Sequence, residues 1–304
     1  MPNLIDFRRR IRSVKNTQQI TRAMKFVAAA RLRRAQERVI AARPYARQIQ
    51  RVLQSAESRL QRDEAQALHP LLAVRPEEKL LVIVISADRG LCGAFNTNVL
   101  RKTSEFLREN KSKQIELVAV GKRARDAMRR TRLPLKAEMI GATMNVKFSD
   151  AKELAEMAIA SYTSGEADAV YLIFNEFKNV IMQRLVISRL LPLEAEVVTS
   201  PRSGPAAGHS ATESERPVQV DYIYEQPPTQ IFDRLVPRYV ETEVHRALLE
   251  SSAAEHAARM TAMDAATKNA SDLIDSLTLH MNKVRQAAIT KEIIEVVSGA
   301  ALAG

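Results

Sequence analysis

The stretch Ala270-Ser271-Asp272-Leu273-Ile274-Asp275-Ser276-Leu277-Thr278-Leu279-His280-Met281-Asn282-Lys283-Val284-Arg285-Gln286-Ala287-Ala288 carries the pattern that decides the fold. Ala270, Leu273, Leu277, Met281, Val284 and Ala288 recur at steps of 3 and 4, the spacing of a left-handed coiled-coil seam. The same spacing returns at the other end of the chain. Leu4, Phe7, Ile11 and Val14 follow at steps of 3, 4 and 3, and a second phase places Ala28, Leu32, Ala35, Val39 and Ala42 at steps of 4, 3, 4 and 3.

Only Pro44 interrupts a helical reading of residues 3–59, and only Pro237 one of residues 230–298. Helices of about 55 and 70 residues would be on the order of 85 and 105 Å long, against an average near 12 residues in globular proteins. They must pack on each other or on a partner. Alanine at many seam positions lets two helices approach closely, so a tight antiparallel pair made by the two ends of the chain is the simplest arrangement. The alternative, two core helices in a large bundle, leaves too few other helices to surround them.

The 304 residues leave room for one compact unit between the helices. The expected organisation is an N-terminal coiled-coil helix over 1–59, a central α/β domain over 75–199, a loop and foot segment over 200–228 and a C-terminal coiled-coil helix over 229–304. The start, Met1-Pro2-Asn3-Leu4, lacks the apolar core of a signal peptide, and no apolar run reaches the roughly 18 residues of a membrane span. A soluble chain without a direct membrane span is expected. Cys92 is the sole cysteine, so an intrachain disulfide is impossible, in keeping with a reducing compartment. Trp is absent and aromatic residues make up 5%, which leaves no stacking platform for single-stranded nucleic acid.

Charge is unevenly placed. Residues 1–59 hold 15 Lys and Arg against Asp6, Glu37 and Glu57, a net of 15 − 3 = +12, while the whole chain is +11. Clusters such as Arg8-Arg9-Arg10 and Arg31-Leu32-Arg33-Arg34 repel one another and require an acidic neighbour. Residues 230–298 offer 10 acidic against 8 basic side chains, which offsets only a small fraction. The remaining field calls for nucleic acid, anionic lipid or an acidic protein surface.

Between the helices, short apolar runs at 80–85, 115–120 and 169–174 read as buried strands, alternating with helices near 94–109, 122–131 and 150–164. This alternation predicts a small Rossmann-like α/β layer, giving an α+β or α/β fold overall with the coiled coil appended. The run 180–188 follows a short polar turn and predicts a hairpin with 169–174. Residues 199–217, rich in Ser, Pro, Gly and Ala, read as a mobile surface loop.

The turn Ser86-Ala87-Asp88-Arg89-Gly90-Leu91-Cys92-Gly93-Ala94-Phe95-Asn96 joins a strand to a helix and could cradle a phosphate. Its spacing matches neither G-x-G-x-x-G nor G-x-x-x-x-G-K-[ST]. No His lies within twenty residues of Cys92 to activate it, although a base from elsewhere stays possible. The simpler reading is a structural turn whose glycines allow tight strand–helix packing. The five histidines are scattered without ligand spacing, so neither a metal nor a cofactor is expected.

Three motifs in order resemble one family. Ile11-Arg12-Ser13-Val14-Lys15-Asn16-Thr17-Gln18-Gln19-Ile20-Thr21-Arg22-Ala23-Met24-Lys25, Asp88-Arg89-Gly90-Leu91-Cys92-Gly93, and Arg259-Met260-Thr261-Ala262-Met263 followed by Asn282-Lys283-Val284-Arg285-Gln286-Ala287-Ala288-Ile289-Thr290-Lys291-Glu292 look like the gamma subunit of F-type ATP synthase. The resemblance spans nearly the whole chain. It implies a central rotor shaft, not itself an enzyme, that turns inside the ring of alpha and beta subunits and couples proton flow to ATP synthesis. Implied partners are the alpha, beta and epsilon subunits and the membrane c-ring, with no nucleic acid. The implied location is peripheral, at the cytoplasmic face of a bacterial inner membrane; the missing targeting segment agrees with a bacterial source.

By motif position the resemblance puts Met24, Lys25, Arg285, Gln286 and Thr290 where the shaft engages the beta subunits, the basic helix meeting their acidic loop, and gives Arg259 a part in linking stalk segments. Without it, Arg285 and Gln286 read as a solvated helix face. Ile289, Ile293, Ile294, Val296 and Val297 resemble the tip that turns in an apolar sleeve of the ring; on their own they read as an exposed apolar patch needing a partner. Tyr224 and Glu225, within Tyr222-Ile223-Tyr224-Glu225, resemble the foot that meets the c-ring, or else form an ordinary edge strand. Chloroplast members carry a regulatory cysteine pair after a Leu-Leu-Pro-Leu segment, here residues 190–193. No cysteine follows it, which excludes a thiol switch. Two rival readings stand beside the family: a nucleic-acid binder with a basic arm, and a small α/β enzyme using the turn at 88–96.

Overall fold

The computed structural model describes residues 4–57, 69–131, 133–193 and 228–302. Tyr224, Glu225 and the 199–217 segment lie outside the described residues. The chain forms two compact units: Met1–Ala30 with Arg259–Gly304, and Arg31–Ala258. The helix α1, Leu4–Glu57, passes straight through Pro44, and a helix at the other end, Pro228–Leu302, passes through Pro237. Both contribute to both units.

In the first unit the two helices run antiparallel. Phe7 stacks against His280 with ring centroids 5.6 Å apart, Thr21 meets Thr267, and Lys25 pairs with Asp264, so the partner number falls as the α1 number rises. The α1 seam is one unbroken heptad. In this unit Leu4, Phe7, Ile11, Val14, Gln18, Thr21, Lys25 and Ala28 are all buried or half-buried, and the same spacing runs on along α1 to Leu32, Ala35, Val39 and Ala42, buried or half-buried within the second unit. The two apolar phases of the sequence are thus a single phase, hidden because Gln18, Thr21 and Lys25 fill the seam with polar atoms. On the opposite helix, Leu273 is 48% exposed and its neighbour Ile274 is half-buried. The seam there runs Met263, Thr267, Ala270, Ile274, Leu277, Met281, Val284 and Ala288, a strict alternation of 4 and 3 from which Leu273 stands one residue out.

The second unit is built on a five-stranded sheet. The strands β1 (Lys79–Ile85), β2 (Gln114–Val120), β3 (Leu135–Met139), β4 (Ala169–Phe177) and β5 (Gln183–Leu191) stand in the order β3-β2-β1-β4-β5. The first four are parallel and β5 is antiparallel to β4. Connecting helices are α2 (Phe95–Glu109), α3 (Lys122–Met128) and α4 (Phe148–Thr163); the C-terminal helix Pro228–Leu302 is α5. The central β1 reads as a continuous apolar run because both its faces are covered: residues 80–85 are at most 1% exposed.

β3 is the strand the apolar runs do not reveal. Its Leu-Lys-Ala-Glu-Met alternates half-buried with exposed positions, as an edge strand does. β5 begins at Gln183, not at Val180, because the Asn179 side-chain oxygen accepts from the amides of Ile181 at 3.0 Å and Met182 at 2.6 Å and turns that stretch into the hairpin bend. Beside β1, Glu77 accepts from Lys113 at 2.9 Å, Tyr171 at 2.9 Å and Arg189 at 3.2 Å. Burial pushes Glu77 up, but the bonds from Lys113 and Tyr171 prevail and hold its carboxyl below the usual range.

Within this unit α5 is not a coiled-coil strand. Residues 247–257 are buried without a break, including Glu250, Ser251, Ser252, Glu255 and His256. A helix buried all round is a core helix. One cation serves two of its carboxylates: Arg246 reaches Glu243 at 2.7 Å and Glu250 at 3.2 Å, and the Glu243 charge holds the guanidinium firmly protonated. Burial pushes the Glu250 carboxyl up, against the pull of Arg246.

Candidate functional site

The residues expected to contact a partner fall at two heights on the first unit. Met24 and Lys25 sit at the level of Asp264, whereas Arg285 and Gln286 lie 285 − 264 = 21 residues further along α5, roughly 30 Å at helical rise. The structure does not bring the two sets together. Lys25 is a seam residue whose amine meets the Asp264 carboxylate; its side chain is 37% exposed. Arg285 and Gln286 are exposed, and the Thr290 hydroxyl bonds the Gln286 carbonyl of its own helix at 2.9 Å. Arg259, half-buried, stands where the first unit begins on α5.

The apolar tip has a simple geometric cause. In the antiparallel register, with Phe7 beside His280 and Thr21 beside Thr267, α5 residues beyond about 284 run past Leu4, the first described residue of α1. Ile289, Ile293, Ile294, Val296 and Val297 are therefore on a single helix, between 47% and 71% exposed. Five large apolar side chains left in water are a docking surface in form.

The turn at 88–96 is closed by its own chain. Asn96 accepts from the Ala87 amide at 3.0 Å and donates to the Arg89 carbonyl at 3.4 Å and to the Cys92 sulfur at 3.2 Å. Cys92 is 1% exposed, which removes the sulfur from solvent. Leu91 adopts a left-handed φ of 62° and the residue is 62% exposed. The Asp88 carboxylate accepts from three groups in two segments: the Lys122 amide at 3.0 Å, at the start of α3, and the Gly141 amide at 3.1 Å and the Thr143 hydroxyl at 3.3 Å, both after β3. Next to it, Gly121 has φ 91°, and a Cβ there would lie 2.2 Å from the Ser86 carbonyl oxygen. Only glycine fits that approach.

The sequence reading passed over Asp88 as an anchor and missed the 141–148 segment entirely. Thr143, Asn145 and Phe148 each touch a long helix, through Ser252, Arg38 and His245 respectively. An Asp directly after a buried strand was the available signal for the first; nothing in the local pattern marks the second. Among the described residues no group of three or more His, Cys, Asp or Glu is placed to hold a metal ion. No described helix is long and apolar enough to cross a membrane.

Antiparallel terminal helices with a bare apolar tip, joined to a parallel sheet with one antiparallel edge strand, define a class when set against known proteins. The family model described as ATP synthase matches residues 3–302, which puts the chain in the ATP synthase class. It is 51% identical over 303 residues to the ATP synthase gamma chain of Solibacter usitatus, covering 100% of both, and 46% identical over 301 residues to that of Pelotomaculum thermopropionicum, covering 99% of each. The chain belongs to the ATP synthase gamma chain family. Its fold resembles a chain in the central stalk/c-ring structure of the Tetrahymena thermophila mitochondrial ATP synthase, with TM-score 0.59, 27% identity and coverage of 81% of this chain and 99% of that one. A chain in the rotor of the Euglena gracilis mitochondrial ATP synthase gives TM-score 0.62 at 21% identity, over 94% of this chain and 98% of that one.

Proposed function

We propose that this chain is the rotor shaft of an ATP synthase, a non-catalytic subunit that turns inside a ring of alpha and beta subunits. The observation that carries the reading is the antiparallel pair of the first unit, which continues past Leu4 as one helix with its apolar side chains uncovered. Such an end suits a sleeve in a surrounding ring. Two unlike helices form an asymmetric shaft, so three identical catalytic subunits around it would be touched differently. Unequal contact is what shifts a conformational equilibrium, and turning the shaft would move each site through each affinity in succession.

Met24, Lys25, Arg285, Gln286 and Thr290 are the proposed contacts with the beta subunits, at two levels of the ring, and Arg259 the link between stalk segments. The net +12 of residues 1–59 favours an acidic collar. The foot, with Tyr224 and Glu225, is proposed to meet the c-ring; an epsilon subunit is a further proposed partner, and the proposed location is peripheral, at the cytoplasmic face of a bacterial inner membrane. The proposed domain division follows the same logic: shaft helices over 1–59 and 229–304, body over 75–199, foot over 200–228. The test is reconstitution. Mixed with alpha and beta subunits, the chain is expected to co-elute as one copy per ring and to raise ATP hydrolysis, while equilibrium dialysis of the chain alone shows no stoichiometric ATP binding. Stoichiometric ATP binding, or preferential capture of duplex DNA, would replace the shaft reading.

A further inference from the structure

We propose that the β3–α4 segment, residues 141–148, is the clutch that carries load between the sheet and the long helices of the second unit, with Asp88 as the positioning residue that sets it. The proposal rests on the shaft reading above. Within eight residues this segment makes three contacts with two helices. The Asn145 side-chain oxygen accepts from Arg38 of α1 at 3.3 Å, the Thr143 carbonyl accepts from the Ser252 hydroxyl of α5 at 2.7 Å, and the Phe148 ring meets His245 of α5 edge-on at 5.3 Å.

The segment is fastened to the sheet from its other side. Asp88, just past the C-terminal end of β1, accepts from the Gly141 amide at 3.1 and 3.2 Å and from the Thr143 hydroxyl at 3.3 Å. Its bond to the Lys122 amide at 3.0 Å ties in the loop after β2. One carboxylate therefore spans the ends of three parallel strands and ends, through Thr143, on the core helix. Thr143 is 1% exposed and Ser252 5%, so no water competes for the bond between them.

The nature of these contacts fits them to carry load. Apolar packing is non-directional, and helices can slide across it. A hydrogen bond weakens steeply once its donor and acceptor are misaligned, so it resists shear, and bonds to an ionised carboxylate are the stronger kind. The connection from sheet to helix through Asp88, Thr143 and Ser252 is directional at every step. Phe148 and Arg38 steady it from either side.

The experiment uses the whole ATP synthase reconstituted in vesicles, with protons pumped per ATP hydrolysed measured against a rising opposing proton gradient. Wild type must pump; if it hydrolyses ATP without pumping under any gradient, the shaft reading itself has failed. Given a coupled wild type, Asp88→Asn, Ser252→Ala and Asn145→Ala are expected to hydrolyse ATP but to lose several-fold of the pumping ratio as the gradient grows. Asp88→Asn with Ser252→Ala should be no worse than Asp88→Asn alone, because both interrupt one path. Complexes detached from the membrane hydrolyse ATP without pumping, so only vesicle-bound enzyme is assayed, and each variant is also read at zero gradient, where a slipping clutch leaves the ratio at the wild-type value and poor assembly lowers it. Ser252→Ala removes a single hydroxyl and keeps the test decisive should Asp88→Asn not fold. An unchanged ratio in every variant that assembles, or losses that multiply in the double variant, would overturn the clutch.

Discussion

Thr21 of α1 and Thr267 of α5 face each other across the helix pair with their hydroxyl oxygens 2.9 Å apart. Each also has a carbonyl of its own helix in reach, Gln18 at 3.0 Å and Met263 at 2.7 Å. The two threonines are therefore satisfied within their own helices and only reinforced between them. Thr21→Val should cost less than about 1 kcal/mol, because the partner hydroxyl keeps its backbone acceptor. Chemical denaturation of the isolated chain measures it; a cost several times larger would make the cross-helix bond indispensable.

Gly121 and Gly141 separate two effects that are usually confounded. Both have strongly positive φ, 91° and 89°, but a Cβ at Gly121 meets the Ser86 carbonyl at 2.2 Å while one at Gly141 meets nothing within 4 Å. Gly141→Ala should cost about 1–2 kcal/mol, the strain of a left-handed alanine. Gly121→Ala must also displace backbone and should exceed about 4 kcal/mol or abolish folding. Denaturation midpoints of the two variants decide it; equal losses would contradict the close approach.

Tyr171 gives the fold an alkaline limit. Burial, and then its bond to Glu77, push the phenol up to about 12. The folded state thus holds this proton more tightly than the unfolded chain, whose tyrosines titrate near 10. Its contribution is complete below about pH 10 and is lost as the pH rises toward about 12. Tyr171→Phe should flatten that part of the stability profile, read as urea midpoint against pH from 8 to 11.5. An identical alkaline decline in wild type and variant would remove Tyr171 as its cause.

Arg285 and Gln286 are exposed side chains of the pair. Replacing both with Ala should change the stability of the chain by no more than about 0.5 kcal/mol. In the assembled enzyme the same variant should lower protons pumped per ATP. Unaltered hydrolysis and pumping would take these two residues out of the proposed beta-subunit contact.

The sequence revealed the large features for a physical reason: a long heptad and a doubly covered strand are repetitive, so local pattern and tertiary role coincide. It misled where two apolar residues adjoin, as at Leu273 and Ile274, since only the partner helix decides which one faces inward. It also split the α1 seam, because Gln18, Thr21 and Lys25 break an apolar count without breaking the heptad. β3 escaped because an edge strand of five residues needs no apolar run. The core portion of α5, with buried Glu250 and His256, reads in sequence like any other amphipathic stretch. Asp88 and the 141–148 segment were illegible for a further reason: the carboxylate lies 53 residues from Gly141 in sequence, and the Thr143 carbonyl 109 from Ser252.

The central claim is mechanical, and rotation observed in single molecules tests it most directly. With the alpha and beta ring fixed to a surface and a bead attached to the exposed Ile181 position of the β4–β5 hairpin, the account predicts continuous, one-directional turning of the bead when ATP is added. A bead that stays at one angle while the same complexes hydrolyse ATP would contradict it.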